Sequence, residues 1–343
     1  MTGVRRLYLD VSAGETRGLV TLDGLPEILL IDRPDEPRAA LGARFVGRVT
    51  ALARGAGSAF IDLGVGAPAV LKLVGAAAAL AEGAAVRVEV VAEARADKGP
   101  VVEFLGAAAG QAVGLAEPAP SIAEQLRALA PEAAVTTGET AREACDLAEE
   151  AALDQTCLLK DGVAVTVEPT RALVAVDVDR AAGGAEPGRK GLKANLAAVR
   201  QAARLLRLKS LGGTVAIDLL GFPEPRAVLV EAAQAAFAPD GAGVAVLTPN
   251  RLGVLMLAKP HRRTPTVERL CDPDGRLSAF TVACRLARRF EAEGAAQPGG
   301  LLEAVCPPDV AERLRPLAAR LGPRFSVAAE VGRDRARADI RPR

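Results

Sequence analysis

The chain has 343 residues, half of them hydrophobic and a quarter charged, with 43 Lys+Arg against 42 Asp+Glu and a net charge of +1. That balance excludes a disordered chain and a globally basic polyanion binder, so any attraction to nucleic acid must come from local patches. Aromatic residues make up 3% and Trp is absent, which limits surfaces for base stacking.

The length predicts two or three domains. The five cysteines, Cys145, Cys157, Cys271, Cys284 and Cys306, are scattered and form no C-x-x-C. Met1 to Asp10 lacks the apolar core of a signal peptide, and no apolar run is long enough to span a bilayer. A cytoplasmic protein with reduced thiols and no membrane segment is expected.

In chain order, residues 1 to 38 read as short strands, Arg6–Asp10, Thr16–Leu22 and Glu27–Asp32, with an Asp23-Gly24 hairpin turn. Pro34 and Pro37 close the segment. From Arg44 onward, five short strands with glycine turns suggest a small barrel of the OB type over residues 39–106: 45–50, 58–64, 70–73, 86–90 and 101–104. From its place in the pattern alone, Phe60 reads as a barrel core residue. Arg48, Arg54, Lys72, Arg95 and Lys98 are candidate phosphate contacts, and each also fits a solvated surface. Residues 107–164 form a connector, rich in Ala, Gly and Pro at its start. In it, Ser121 and Glu124 make a capping box for a helix to about Leu129, and a second helix runs from Glu139 to about Ala152.

Two apolar runs then end in aspartates: Ala172-Leu-Val-Ala-Val-Asp177-Val-Asp179 and Gly213-Thr-Val-Ala-Ile-Asp218. Both read as buried strands, and the helical segment Leu192–Leu211 between them predicts a crossover that lays them side by side. Asp177 and Asp218 would then meet at one end of the sheet. Two such carboxylates repel unless a cation lies between them, and magnesium suits one or two carboxylates plus water and phosphate oxygens. The plainer alternative is that each aspartate merely caps a loop. Lys193, Arg200, Arg204 and Arg207 fall on broadly one helical face, which suits a phosphate backbone or a solvated surface. The loop Ala181–Gly191, with Arg189 and Lys190, reads as a linker or a flap over substrate. A turn at Pro223–Pro225, a helix Arg226–Phe237 and strands Gly243–Leu247 and Leu252–Ala258 follow. The single histidine, His261, lies in Lys259-Pro-His-Arg-Arg263 and reads as a phosphate contact or a surface residue rather than a base. Helices 277–293 and 309–321 and strands 301–306, 325–331 and near Ala338 complete the chain.

Val174-Ala-Val-Asp177-Val-Asp179, Leu192-Lys-Ala-Asn195-Leu, Ala203 to Gly213 and Val215-Ala-Ile-Asp218 together resemble the catalytic core of the ribonuclease E/G family. The resemblance implies an α/β (α+β) chain. An RNase H-like subdomain (1–38 and 107–164) would hold an inserted S1-like OB-fold barrel (39–106). A DNase I-like catalytic domain (165–270) and a linker with a small C-terminal domain (271–343) would follow. It further implies a magnesium-dependent endoribonuclease, with Mn²⁺ as a substitute, that cuts single-stranded RNA to 5′-phosphate and 3′-hydroxyl ends. Asp177 and Asp218 would bind the metal and Asp179 could join them. Phe60, Lys98, Lys193, Arg204, Arg207 and Lys259 would contact RNA. The chain departs from the family at Val70, Asp179 and Gly221, and the family's 5′-end sensor segment is not found. Asp274 stands where a second zinc-binding cysteine is expected after Cys271, so a homo-oligomer would not be joined by an intact zinc link. The alternatives are an RNA-binding protein of this fold with weakened turnover and a phosphohydrolase of small nucleotides.

Overall fold

The computed structural model describes residues 3–180, 189–221 and 224–343, without the side chains of Arg189 and Lys190. Strands β1 (Arg5–Val11), β2 (Thr16–Leu22) and β3 (Leu25–Asp32) form an antiparallel meander. The chain then enters a barrel of β4 (Arg44–Ala53), β5 (Ser58–Asp62), β6 (Ala69–Lys72), β7 (Ala85–Ala92) and β8 (Val101–Ala107). Its order is β5-β6-β8-β7-β4, and the β4–β5 ladder closes the ring into an OB-like fold. Inward Val49, Ile61, Leu71, Val86, Val88 and Val102 fill it. Strand β9 (Gly114–Glu117) adds to β4 outside the ring; it lies in the Ala-, Gly- and Pro-rich start of the connector, where the sequence predicts no strand.

Helix α1 (Ile122–Leu129) starts at the expected capping box, with Ser121 accepting from Glu124 N–H and the Glu124 carboxylate accepting from Ser121 N–H. The short β10 (Val135–Thr136) pairs parallel to β1, so the barrel is inserted between two parts of one sheet. Helix α2 (Glu139–Leu153) packs Cys145, Ala148 and Ala152 beneath that sheet.

The third sheet holds β11 (Thr156–Leu158), β12 (Val163–Pro169), β13 (Val174–Arg180), β14 (Gly213–Asp218), β15 (Ala245–Val246) and β16 (Val254–Lys259), in the order β11-β12-β13-β14-β16-β15. Helices α3 (Arg189–Leu208) and α4 (Arg226–Phe237) belong to this unit. Only β13 and β14 run parallel, joined through α3 as the crossover pattern predicts. Alternate valines of β12 and β13, with Val215 and Ile217, pack onto Ala198, Val199, Ala202, Leu206, Leu229 and Phe237 of the helices. Each such large apolar side chain contributes about 1.5–3 kcal/mol by leaving water. The opposite sheet face has no helix over it in this core, and it carries Ala164, Thr166, Ala175, Thr214, Ala216 and the acidic residues.

The short α5 (Thr266–Leu270) leads to α6 (Ala279–Ala296), β17 (Leu302–Cys306), α7 (Pro308–Leu321), β18 (Phe325–Ala329) and β19 (Asp339–Pro342), which form a small αβ layer with its own core. Among the described residues no helix is long and apolar enough to cross a membrane. Of the expected linker or flap Ala181–Gly191, residues 181–188 lie outside the described residues, as does part of the turn at Pro223, and residues 189–191 belong to the first turn of α3.

Candidate active site

Asp177 is the fourth residue of β13 and Asp218 the last of β14, and the two are direct partners in the parallel ladder. Residues paired across a ladder project to the same face. Burial alternates along both strands: Val176, Val178 and Ile217 point into the core, while Asp177, Asp179 and Asp218 are exposed on the open face. Thr166 of β12 lies opposite Asp177, and Glu168 lies opposite Ala175 on the same face. Asp177, Asp179, Asp218 and Glu168 therefore share one patch of small residues. Among the described residues none of these carboxylates has a basic partner in an ion pair, although Asp179 accepts a hydrogen bond from Arg180 N–H at 2.6 Å. Partial burial, then the charges of Asp179, Asp218 and Glu168, push the Asp177 pKa above the usual carboxylate value. A carboxylate cluster of this kind fits a hard divalent cation, which needs one or two of them and completes its shell with water.

The crossover geometry decides which basic residues can serve this patch. Helix α3 leaves the carboxyl end of β13 and returns the chain to the start of β14, so its first turns lie beside the aspartates and its last turns at the far end. Fourteen residues separate Lys193 from Arg207, about 21 Å along a helix axis. Lys193 is exposed at the near end and lies 3.7 Å from Asp161. Arg204 and Arg207 correct the expectation of a basic face toward RNA. Arg204 is buried, donating to Gln201 Oε1 and to Pro26 O. Arg207 donates to Glu27 Oε1 at 2.9 Å, to Asp240 Oδ2 at 2.8 Å and to Ala236 O at 3.0 Å. Both fasten α3 to β3, and Arg207 also fastens it to the end of α4. Lys259 is likewise held, 3.2 Å from Asp240 and donating to Leu211 O. It pairs with Gly213 while Val254 pairs with Asp218, which puts Lys259 and His261 at the opposite end of the sheet. Burial, then Arg95 and Lys259, push the His261 imidazole down to about 4, so it is neutral at pH 7.

Asn195, which in the sequence stands out only as part of a motif, has a positioning role. It is fully buried, and its amide donates to Leu220 O and accepts from Leu220 N–H at 2.9 Å. This clamp fixes the backbone just after Asp218. A fully buried Asn on the apolar stripe of a helix was the available signal. The departure at Gly221 has a local reason: its φ is +63°, a region in which side chains other than glycine are strained. Gly253, also at positive φ, presses against Gly221, and a Cβ there would lie 2.6 Å from Gly221 O.

On the barrel, Phe60 is 41% exposed, so it is not a core residue. Val70 and Ala51 flank it across the ladders, and the exposed Lys72 and Arg48 lie on the same outer face. Lys98 is exposed on the β7–β8 turn, where Ala96 N–H donates to Glu268. Cys271 is half-buried and bridges to Leu277, and Asp274 is bound to Arg276. No group of three or more metal-ligating side chains occurs among the described residues.

Residues 121–262 match the model of the Ribonuclease E/G family. The chain is 28% identical over 130 residues to a chloroplastic ribonuclease E/G-like protein of Arabidopsis thaliana. It is 30% identical over 122 residues to ribonuclease E of Haemophilus influenzae. These alignments take in 36% and 34% of this chain, and the chain spans about 13% of the length of each relative. The segment 121–262 that matches the ribonuclease E/G family model contains Asp177, Asp218 and the Asn195 clamp.

Proposed function

We propose that the chain is an endoribonuclease of the cytoplasm that hydrolyses single-stranded RNA to 5′-phosphate and 3′-hydroxyl ends. Asp177 and Asp218 would hold magnesium, with Asp179 beside them and Mn²⁺ as an acceptable substitute. The observation that carries the proposal is the pairing of Asp177 with Asp218 on an open sheet face, inside the family-matched segment. Bound there, the cation supplies positive charge to a phosphodiester and its attacking water. The chain's own residues do the rest. Asn195 fixes the peptide after Asp218, so the two carboxylates keep a constant separation. Small side chains on the open face leave room for a strand to lie across them. Lys193 supplies charge at the near end of α3, and Phe60 with Lys72 and Arg48 offers a stacking surface with phosphate contacts on the barrel.

A second reading, an RNA-binding protein of the same fold with weakened turnover, draws on the absence of a three-ligand cluster among the described residues. Cleavage of a fluorescent AU-rich oligonucleotide with magnesium separates the two. The nuclease reading expects turnover in the wild type, its loss with chelator, and a loss of at least about 100-fold in Asp218→Asn, beyond the effect of outer-shell changes. RNA binding without turnover in either protein favours the second reading.

A further inference from the structure

A cavity of about 180 Å³ lies where the barrel, β3, α1 and the segment after β16 meet. It shares no residue with the carboxylate patch. Its apolar wall includes Leu41, Leu115 and Pro120, and its polar wall is cationic: Arg38, Arg263 and Arg269. Two carboxylates line it as well, the exposed Asp32 and Glu93, and Glu93 is already used. It takes an ion pair from Arg38 and accepts from Leu41 N–H and Thr264 N–H. Arg38 Nε and Arg269 Nε and Nη2 are buried with no hydrogen-bond partner, and Gln125 Oε1 on the same wall is also left over. Arg263 makes no ion pair among the described residues. Burial, then the charges of Arg38 and Arg33, push Arg269 down to about 10, and burial lowers Arg263 as well. Buried polar groups without partners are costly, so such a constellation marks a place for a counter-ion.

We infer that this cavity binds a phosphate group, as the free ion or as a small phosphate monoester, through Arg38, Arg263 and Arg269. Phosphate offers several acceptor oxygens to the free guanidinium N–H groups. The protonated phosphate oxygen can donate to Gln125 Oε1, which sulfate cannot do at neutral pH. The volume equals about six waters at roughly 30 Å³ each, enough for the five heavy atoms of the ion. A ligand there would touch the barrel and the catalytic unit at once. It would reinforce the junction made by Glu93 N–H donating to Arg262 O.

The test uses the full chain with chelator present, at constant ionic strength. Inorganic phosphate should raise the thermal unfolding midpoint along a saturating curve that chloride does not reproduce, and sulfate should act at least several-fold more weakly. Arg263→Gln and Arg269→Gln should each weaken half-saturation by at least tenfold. Arg263→Gln should also be no less stable than wild type without phosphate, since Arg263 makes no ion pair among the described residues, whereas Arg269 lies 3.9 Å from Glu36. Calorimetric titration of the wild type with phosphate, which needs no variant, should saturate at one ion per chain. A nucleoside monophosphate binding at least tenfold tighter than inorganic phosphate would identify a monoester as the ligand, and equal or weaker binding the free ion. No response of the wild type beyond chloride, or an undiminished response in both variants, would overturn the inference.

Discussion

At the residue scale, the carboxylates that make the candidate active site useful also make it unfavourable without a cation. A carboxyl whose pKa is raised by folding binds its proton more tightly in the folded chain. Its contribution to stability therefore falls as pH rises through that folded-state pKa. Asp177 is such a group. Asp177→Asn is expected to raise the unfolding midpoint of the metal-free protein at pH 7 slightly, and magnesium should narrow the gap by stabilising the wild type alone. Calorimetric melts of both proteins with chelator and with magnesium check this. By the same direction of shift, a cation held there as proposed should bind more weakly on acidification from a higher pH than an ordinary aspartate would require. Asn195→Ala, which releases Leu220, should lower cleavage about 10–100-fold through a raised magnesium requirement, with RNA affinity unchanged. A magnesium titration of the cleavage rate distinguishes that from lost RNA contact.

At the scale of elements, the two aspartate-ended strands and their crossover were legible in the sequence because apolar runs and helical spacing report burial directly. Two of the four basic residues on α3, Arg204 and Arg207, depart from the expected exposed face, for a physical reason. Periodicity places Lys193, Arg200, Arg204 and Arg207 on one side of the helix, yet it does not say what covers each turn. The last turns lie against β3 and the end of α4, where Pro26, Glu27 and Asp240 receive the guanidiniums. The crossover itself carried the missing information, since a helix that returns to the start of a parallel strand moves away from the carboxyl end. β9 was missed because Gly114–Glu117 has no alternating pattern of its own and becomes a strand only by docking on β4. Arg207 and Phe60 should accordingly behave in opposite ways. Arg207→Ala takes from the fully buried Glu27 the nearer of its two charge partners, leaving Arg5 at 3.4 Å, and should cost about 3 kcal/mol of stability. Phe60→Ala should leave the melt unchanged and weaken single-stranded RNA binding by about 1–3 kcal/mol. Denaturation and RNA-binding curves on both variants test the pair.

At the scale of the whole molecule, a buried ionic cluster joins the first sheet to the C-terminal layer. Arg17 is fully buried and reaches Asp10 at 2.6 Å, Asp146 at 2.7 Å and Glu149 at 3.1 Å. Glu15 sits between Arg33 and Arg288. Burial alone would raise its pKa, but Arg288, Arg33 and Arg17 outweigh that and hold it below the usual value. A depressed carboxyl stabilises the fold above the pKa of the unfolded chain, and that stability is lost as pH falls through the folded-state pKa. Glu15→Gln should therefore destabilise the protein at pH 7 by about 3–5 kcal/mol and flatten its acid unfolding profile, which urea titrations from pH 7 to pH 3 measure. The first strands, the family-matched segment and the C-terminal layer are thus held as one frame that ends in the carboxylate pair. The most direct test of that pair is a titration with Mn²⁺ followed by electron paramagnetic resonance. The account predicts one tight ion per wild-type chain, displaced by magnesium and lost in both Asp177→Asn and Asp218→Asn. Unchanged Mn²⁺ affinity in either variant would contradict it.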